Sequence, residues 1–263
     1  MEPPVNQLKR NLRDGRAQIG LWSQFASPIV VDVLAGSGFD FLVLDTEHGP
    51  SELPTVLEQL RALTGGTASG VVRVAWNDPI QFKRLLDVGA QSLLVPFVQN
   101  ADEARRAVAA TRYPPQGIRG VAVATRANRY GRVKGYFDRA HDELCVLVQL
   151  ETRVALGNLE SIAAVEGVDG LFVGPSDLAA GLGHLGDSGH PEVRAAIDDA
   201  IPRICATGKR AGILAPIEAD ARHWLELGCL FVAVGSDVGL LARQSETLAA
   251  TFKRQEPVNA ERR

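Results

Sequence analysis

Cysteine, tryptophan and tyrosine are scarce in this sequence, at three residues each among 263. Cys145, Cys205 and Cys229 are odd in number, far apart and outside any C-x-x-C pair. They therefore build no disulfide framework. Cys145 and Cys229 lie in apolar runs and read as reduced core thiols in a reducing compartment. Basic blocks are missing too: 28 Lys and Arg stand against 31 Asp and Glu, for a formal charge of −3. That balance argues against nucleic acid or another polyanion as a partner. No apolar run approaches the roughly 20 residues of a membrane span. The N-terminal stretch MEPPVNQLKRNLRDGR has no apolar h-region, so it is not a signal peptide. The expected location is the cytoplasm, with no membrane partner.

What the chain does have is 26 glycines and eight short apolar runs separated by segments of helical periodicity. The runs are IGLW (19–22), FLVLD (41–45), VVRV (71–74), SLLVPF (92–97), CVLVQLE (145–151), GLFVGP (170–175), AGILA (211–215) and FVAVG (231–235). Near-continuous apolarity, rather than alternation with polar residues, is what strands covered on both faces require, and this points to a parallel sheet. Asp78-Pro79 reads as an N-cap with proline at the first helical position, and His190-Pro191 opens another helix that stops at Gly208. Glu218 begins a helix ending at Gly228, while Pro202 is expected to kink or divide the one that holds it. No G-x-G-x-x-G follows an early strand, which removes the dinucleotide-binding alternative. Eight βα units without a linker predict one α/β domain over residues 1–263, a closed (β/α)₈ TIM barrel with polar termini. The segment 112–143 is long, basic and turn-rich, either an active-site loop or an ordinary crossover, and the tail KRQEPVNAERR is polar and expected to fray.

Barrels carry their chemistry at the carboxyl ends of the strands. Those ends here supply Trp22, Asp45, Glu47, His48, Arg73, Gln149, Glu151, Ser176, Asp177, Ser236 and Asp237. Glu151 and Asp177 end successive strands, and carboxylates about 4.8 Å apart repel unless a cation or a proton sits between them. Mg²⁺ or Mn²⁺ would suit such a pair. The competing reading makes each a helix cap, and Asp237 is a rival ligand. His48 is the one histidine at a strand end and is suited to proton transfer near neutral pH; otherwise it is a loop histidine bonded to backbone. Arg73 must face a carboxylate, either a substrate's or that of Asp45. Trp22 is a pocket wall or a plug across the barrel mouth. GPSDLAAGLG lacks a lysine and carries Asp177, so a small carboxylate held by backbone N–H groups suits it better than a phosphate.

The ordered motifs GLW, LDTEH, VVRVAWNDP, LLDVGAQSLLVPFVQNADEA, RYPPQGIRG, VLVQLET, EGVDGLFVGPSDLA and FVAVGSD closely resemble the HpcH/HpaI family of class II pyruvate aldolases, from about residue 17 to 253. The resemblance implies a divalent-metal-dependent barrel that splits 4-hydroxy-2-oxo acids into pyruvate and an aldehyde. It implies Glu151 and Asp177 as ligands of Mg²⁺ or Mn²⁺, with Co²⁺ or Zn²⁺ as further candidates. His48 is then the acid/base, Arg73 and Gln149 hold the pyruvyl end, and the backbone of Gly174, Pro175 and Ser176 takes its carboxylate. Trp22 and Leu214, the latter in the strand-7 exit, complete the substrate pocket. Asp45 and Asp87 orient the histidine, with Asp87 reaching a neighbouring subunit's site in a homo-hexamer whose C-terminal helix is exchanged. Thr46 replaces a glycine common in relatives and leaves the shape of that turn open.

The implied reaction removes the 4-hydroxyl proton through His48, breaks C3–C4 and places the enolate charge on the cation and Arg73. No lysine occupies any of the eight strand ends, which disfavours a Schiff base. GPSDLAAGLGHLG, RANRYG and GILAPIEADAR resemble the 2-dehydro-3-deoxyglucarate aldolases, which release tartronate semialdehyde. WNDPIQFKRLLDVG, QNADEA and CVLVQLETR resemble the 2,4-dihydroxyhept-2-enedioate (4-hydroxy-2-oxoheptanedioate) aldolases, which release succinate semialdehyde. The C-terminal segments tip the expectation toward tartronate semialdehyde. Both substrates are diacids, so Arg126 or Arg129 is expected to meet the distal carboxylate unless they are solvated surface groups. An acyl-CoA lyase of the citramalyl or malyl type would need a groove for a nucleotide tail, and a non-catalytic barrel would lack the full metal–base–arginine set.

Overall fold

The computed structural model describes residues 1–2 and 4–253, so the tail from residue 254 lies outside it. Its eight strands are β1 (Gln18–Ser23), β2 (Phe41–Asp45), β3 (Ser69–Arg73), β4 (Ser92–Val95), β5 (Cys145–Leu150), β6 (Gly170–Val173), β7 (Arg210–Leu214) and β8 (Cys229–Ser236). Each pairs in parallel with its sequence neighbour, and β1 pairs with β8 to close the barrel. All eight expected strands are present, and helices fill the intervals between them.

Side chains within each strand alternate between two apolar layers. Leu42, Leu44, Val72 and Val148 face outward into the large cluster between sheet and helices. Phe41, Val43, Val71, Leu94, Leu147, Phe172 and Phe231 face inward, and Leu8 and Leu12 of the helix Gln7–Arg13 join them. Both faces are therefore dry, which is why the strands read as unbroken apolar runs. The inner layer is tightly filled: the rings of Phe41 and Phe231 stack 3.9 Å apart. A Cβ on Gly20 would lie 2.4 Å from the Phe41 ring, so only glycine fits there.

Helix ends follow the local chemistry. Asp78 caps the helix Pro79–Asp87 by accepting from the Ile80 N–H, and His190 caps Pro191–Ala206 by accepting from Glu192. Gly208 and Gly228 adopt positive φ just beyond their helices, as expected. Pro202 does not divide its helix, which runs unbroken for 16 residues. Pro202 is exposed, so the carbonyl that loses its N–H partner at Pro202 can turn to water.

The segment 112–143 joins the helix Ala101–Thr111 to the start of β5. It is therefore a crossover at the amino end of the barrel, opposite the rim where chemistry is expected.

Candidate active site

Alternation brings polar residues to the top of the inner layer. Phe41 and Val43 point inward, so Asp45 does too, and its register partner across the β2–β3 ladder is Arg73. The two form a bidentate pair: Arg73 Nε donates to Asp45 Oδ1 at 2.9 Å and Nη2 to Oδ2 at 2.6 Å. Arg73 Nη1 lies 2.9 Å from Glu47 Oε2, but out of line for a hydrogen bond. Trp22 covers this pair. Its indole N–H donates to Asp45 Oδ2 at 3.2 Å, and the guanidinium carbon sits 5.0 Å from the ring centroid. Trp22 also packs against Phe172 at 5.6 Å, so it both closes the barrel mouth and lines the pocket.

Asp45 also shapes the turn after β2. Its Oδ1 accepts the backbone N–H groups of Glu47 and His48 at 3.0 and 3.3 Å. Burial pushes the Asp45 carboxyl upward, but the Arg73 fork and these N–H groups outweigh it and hold the group below its ordinary range. Thr46 fits the turn by donating both its N–H and its hydroxyl to the carbonyl of Arg73, at 3.0 and 2.6 Å. The result is an exposed His48 at the pocket edge, whose ring makes no hydrogen bond among the described residues. Asp45 therefore holds the backbone of His48, not its imidazole.

Across the barrel, β5 carries Gln149 near its end and is followed by Glu151, and β6 runs beside it into the helix Pro175–Gly181. Glu151 is buried. Its Oε1 accepts from the Gln149 amide, and its Oε2 accepts from the Phe97 N–H at 3.1 Å. A Cβ on Gly174 would come within 2.7 Å of Glu151 Cγ, so glycine is needed for the helix to approach. Burial, reinforced by the charges of Glu47 and Asp177, pushes the Glu151 pKa up to about 8. Burial also raises Glu47, with Asp45 and Asp177 adding to the shift.

These carboxylates fit a divalent cation. Glu151, Asp177 and Glu47 concentrate negative charge, and the Gln149 Oε1 is buried without a partner. The donors are all hard oxygens, the set preferred by Mg²⁺ or Mn²⁺. Asp177 makes no capping bond, since Gly174 occupies the cap position; the cap reading of Asp177 fails. Asp237 is no rival ligand. Its carboxylate accepts from Ser23, Gln24, Phe25 and Val238, tying β1 to the last helix.

A cavity of about 350 Å³ brings together Trp22, His48, Arg73, Gln149, Glu151, Gly174, Pro175, Ser176, Asp177 and Leu214. Gln24, Phe172 and Pro216 also line it; as single neutral or apolar residues they gave no signal in the sequence. The N–H of Gly174 is engaged by the Leu150 carbonyl, and Pro175 has none. Among the three expected carboxylate-binding positions, only Ser176 retains a backbone donor.

Three expected residues lie elsewhere. Asp87 ends its helix at the amino side of the barrel and pairs with the buried Arg119 at 2.7 Å. Arg126 and Arg129 line a separate cavity at that same side. Arg126 donates there to the carbonyls of Val88 and Leu60. Neither arginine reaches the distal end of the substrate pocket in its own chain, because the segment 112–143 leaves a helix rather than a strand end. A further group, His184, His190 and Glu192, gathers ligand-type atoms on the outside of the barrel. Its imidazoles are stacked 3.4 Å apart at 14°, so both cannot aim an in-plane nitrogen at one ion.

Residues 18–244 match the family described as HpcH/HpaI aldolase/citrate lyase. A protein named pyruvate aldolase from Rhizobium etli is 57% identical over 96% of this chain and 99% of its own length. A Salmonella dublin protein named 4-hydroxy-2-oxo-heptane-1,7-dioate aldolase is also 57% identical, over 94% of both chains. Among solved structures, an HpcH/HpaI aldolase/citrate lyase family protein from Burkholderia cenocepacia superimposes with a TM-score of 0.92 at 39% identity, covering 95% of this chain and 100% of that one. Identity at this level over almost the full length, on the same closed barrel, establishes this chain as an aldolase and a member of the HpcH/HpaI family.

Proposed function

We propose that this chain is a divalent-cation-dependent class II pyruvate aldolase that reversibly cleaves 4-hydroxy-2-oxoheptanedioate to pyruvate and succinate semialdehyde. The observation that carries the reading is the single cavity in which Glu151 and Asp177 lie beside Arg73 and His48. The expectation of a 2-dehydro-3-deoxyglucarate substrate gives way here. Relatives with 57% identity over nearly the whole chain bear the heptanedioate name, and that outweighs a few C-terminal motifs. The side chains of Trp22, Phe172, Leu214 and Pro216 give the cavity an apolar wall. Such a wall suits the methylenes of succinate semialdehyde better than the extra hydroxyl of tartronate semialdehyde, whose donor and acceptor need partners.

Glu151 and Asp177 would hold the cation, which when bound supplies Lewis-acid polarisation of the 2-oxo group. The Gln149 amide and the Phe97 N–H fix the Glu151 carboxylate from two sides. Arg73 is locked by Asp45 and lines the cavity, where its guanidinium stabilises negative charge developing on the pyruvyl oxygen. Ser176 offers its backbone N–H to the pyruvyl carboxylate. His48, free on the rim, takes the proton from the C4 hydroxyl as C3–C4 breaks, so the aldehyde leaves toward the open side, and protonation of the remaining enolate at C3 gives pyruvate.

The test is pyruvate release from 4-hydroxy-2-oxoheptanedioate by chelator-treated protein, with and without added Mg²⁺ or Mn²⁺. Full activity without cation would overturn the metal reading. In the condensation direction, kcat/KM for succinate semialdehyde should exceed that for tartronate semialdehyde by roughly tenfold, about 1.4 kcal/mol of transition-state binding. The reverse preference would restore the glucarate-type substrate.

A further inference from the structure

We infer that Phe97 is a positioning residue for the cation site, acting through its left-handed backbone rather than its ring. This rests on the reading of Glu151 as a cation ligand. Phe97 follows β4 and Pro96 with φ of +58°, a conformation that bulky side chains rarely adopt. Little burial compensates for it. The ring is 40% exposed, and its aromatic neighbour Trp76, 5.9 Å away, is itself 55% exposed.

What the conformation achieves is a pair of donors. Extended backbone sends successive N–H groups to opposite sides, whereas a left-handed residue lets two of them converge on one acceptor region. Here the Phe97 N–H reaches Glu151 Oε2 at 3.1 Å, and the Val98 N–H reaches the Gln149 carbonyl at 3.2 Å. Both acceptors belong to the exit of β5. The far side of the turn is anchored as well: the Gln99 N–H donates to Glu103 at 2.7 Å, and the Thr152 hydroxyl donates to the Gln99 side chain at 2.5 Å.

Glu151 is thus gripped at each oxygen, by the Gln149 amide and by the Phe97 N–H. Each oxygen keeps a lone pair for a cation while the carboxylate plane is fixed, the kind of outer support that sets metal affinity. Strain at a residue that touches the ligand, with little side-chain return, is the pattern of a functional backbone position.

The experiment is calorimetric titration of Mn²⁺ into cation-free, full-length protein: wild type, Phe97→Gly, Phe97→Ala, Phe97→Val and Glu151→Gln. Glycine tolerates positive φ and keeps the N–H, whereas valine is β-branched and resists it. Phe97→Val should weaken Mn²⁺ binding by roughly ten- to hundredfold, Phe97→Ala should fall between, and Phe97→Gly should stay within about threefold of wild type. Should Phe97→Val not fold, the Ala–Gly comparison carries the same ordering. Equal affinities across wild type and the Phe97 series would show that the backbone conformation does not set the site, and Phe97→Gly as the weakest would show that the ring does; either result overturns the inference alone. Wild type that takes up no Mn²⁺, or no more than Glu151→Gln, would overturn the cation reading and this role with it.

Discussion

Arg73 is committed to its own protein before any substrate arrives. Two of its nitrogens engage the buried Asp45, and the third faces Glu47. Replacing it with lysine keeps a charge but loses the fork, leaving Asp45 partly unpaired in a dry site. Arg73→Lys should therefore lower Tm as well as kcat/KM. His48 differs because it is exposed and unbonded. His48→Ala should leave Tm unchanged while kcat falls by roughly 10²–10⁴-fold. Equal, mild losses in both variants would return the two residues to structural roles. Glu151 gives a pH signature. Its folded pKa is raised to about 8 from an ordinary value of 4.5. The protonated form is thus favoured by folding: that stability is intact below about 4.5 and is lost as pH rises through 8. A cation binds the ionised form and reverses the loss. The rise in Tm on adding Mn²⁺ should grow from pH 6 to about 8 and then level off. A cation effect independent of pH, or one unchanged in Glu151→Gln, would contradict this assignment.

The barrel itself depends on close contacts between neighbouring strands. Gly20 of β1 leaves room for Phe41, whose ring stacks on Phe231 beneath the pocket. Gly20→Ala should destabilise the fold by about 1–3 kcal/mol through overpacking, read as a lower denaturant midpoint with the m-value unchanged. A neutral result would mean the inner layer relaxes more freely than its spacing implies. Such elements explain how much could be read from sequence. The strands were legible because burial on both faces leaves continuous apolar runs. The rim was legible because Asp45, Arg73 and Gln149 interrupt those runs at their carboxyl ends. The carriers of less visible information were missed. A left-handed Phe97 has no marker in the sequence where glycine would be usual. Arg126 and Arg129 look like a basic loop until the topology shows that their segment follows a helix. Asp237 sits at a strand end, yet four donors from the exit of β1 and its own helix absorb it. Pro202 misled because its cost depends on whether the broken hydrogen bond faces water.

The helix Asp237–Lys253 raises a question about the whole molecule. Of its 17 residues only Asp237 is buried, and the exposed ones include Val238, Leu240, Leu241, Leu248 and Phe252. A helix without a packed face draws little stability from its own backbone, and so many apolar side chains along one element are the mark of an interaction surface. Trp76 and Ile80 add exposed apolar area beyond the carboxyl ends of the strands. Asp87 lies outside the pocket of its own chain, so the role that the family resemblance gives it would have to be filled from a neighbouring subunit. We propose that the exposed apolar side chains of this helix are covered in a homo-oligomer in which it packs on a partner, the arrangement that the family resemblance implies for a hexamer. Sedimentation equilibrium at micromolar concentration should show an assembled species. The double variant Leu241→Asp, Leu248→Asp should dissociate with its circular dichroism intact, since neither side chain belongs to the barrel core. Asp87→Asn, which keeps an acceptor for the buried Arg119, should remain assembled yet lose kcat if the residue acts across the interface. Mixing it with His48→Ala subunits should restore part of the activity, as some sites then combine an intact His48 with an intact partner Asp87. A monomer with full activity, or no recovery on mixing, would remove the shared-site arrangement and leave each barrel to act alone.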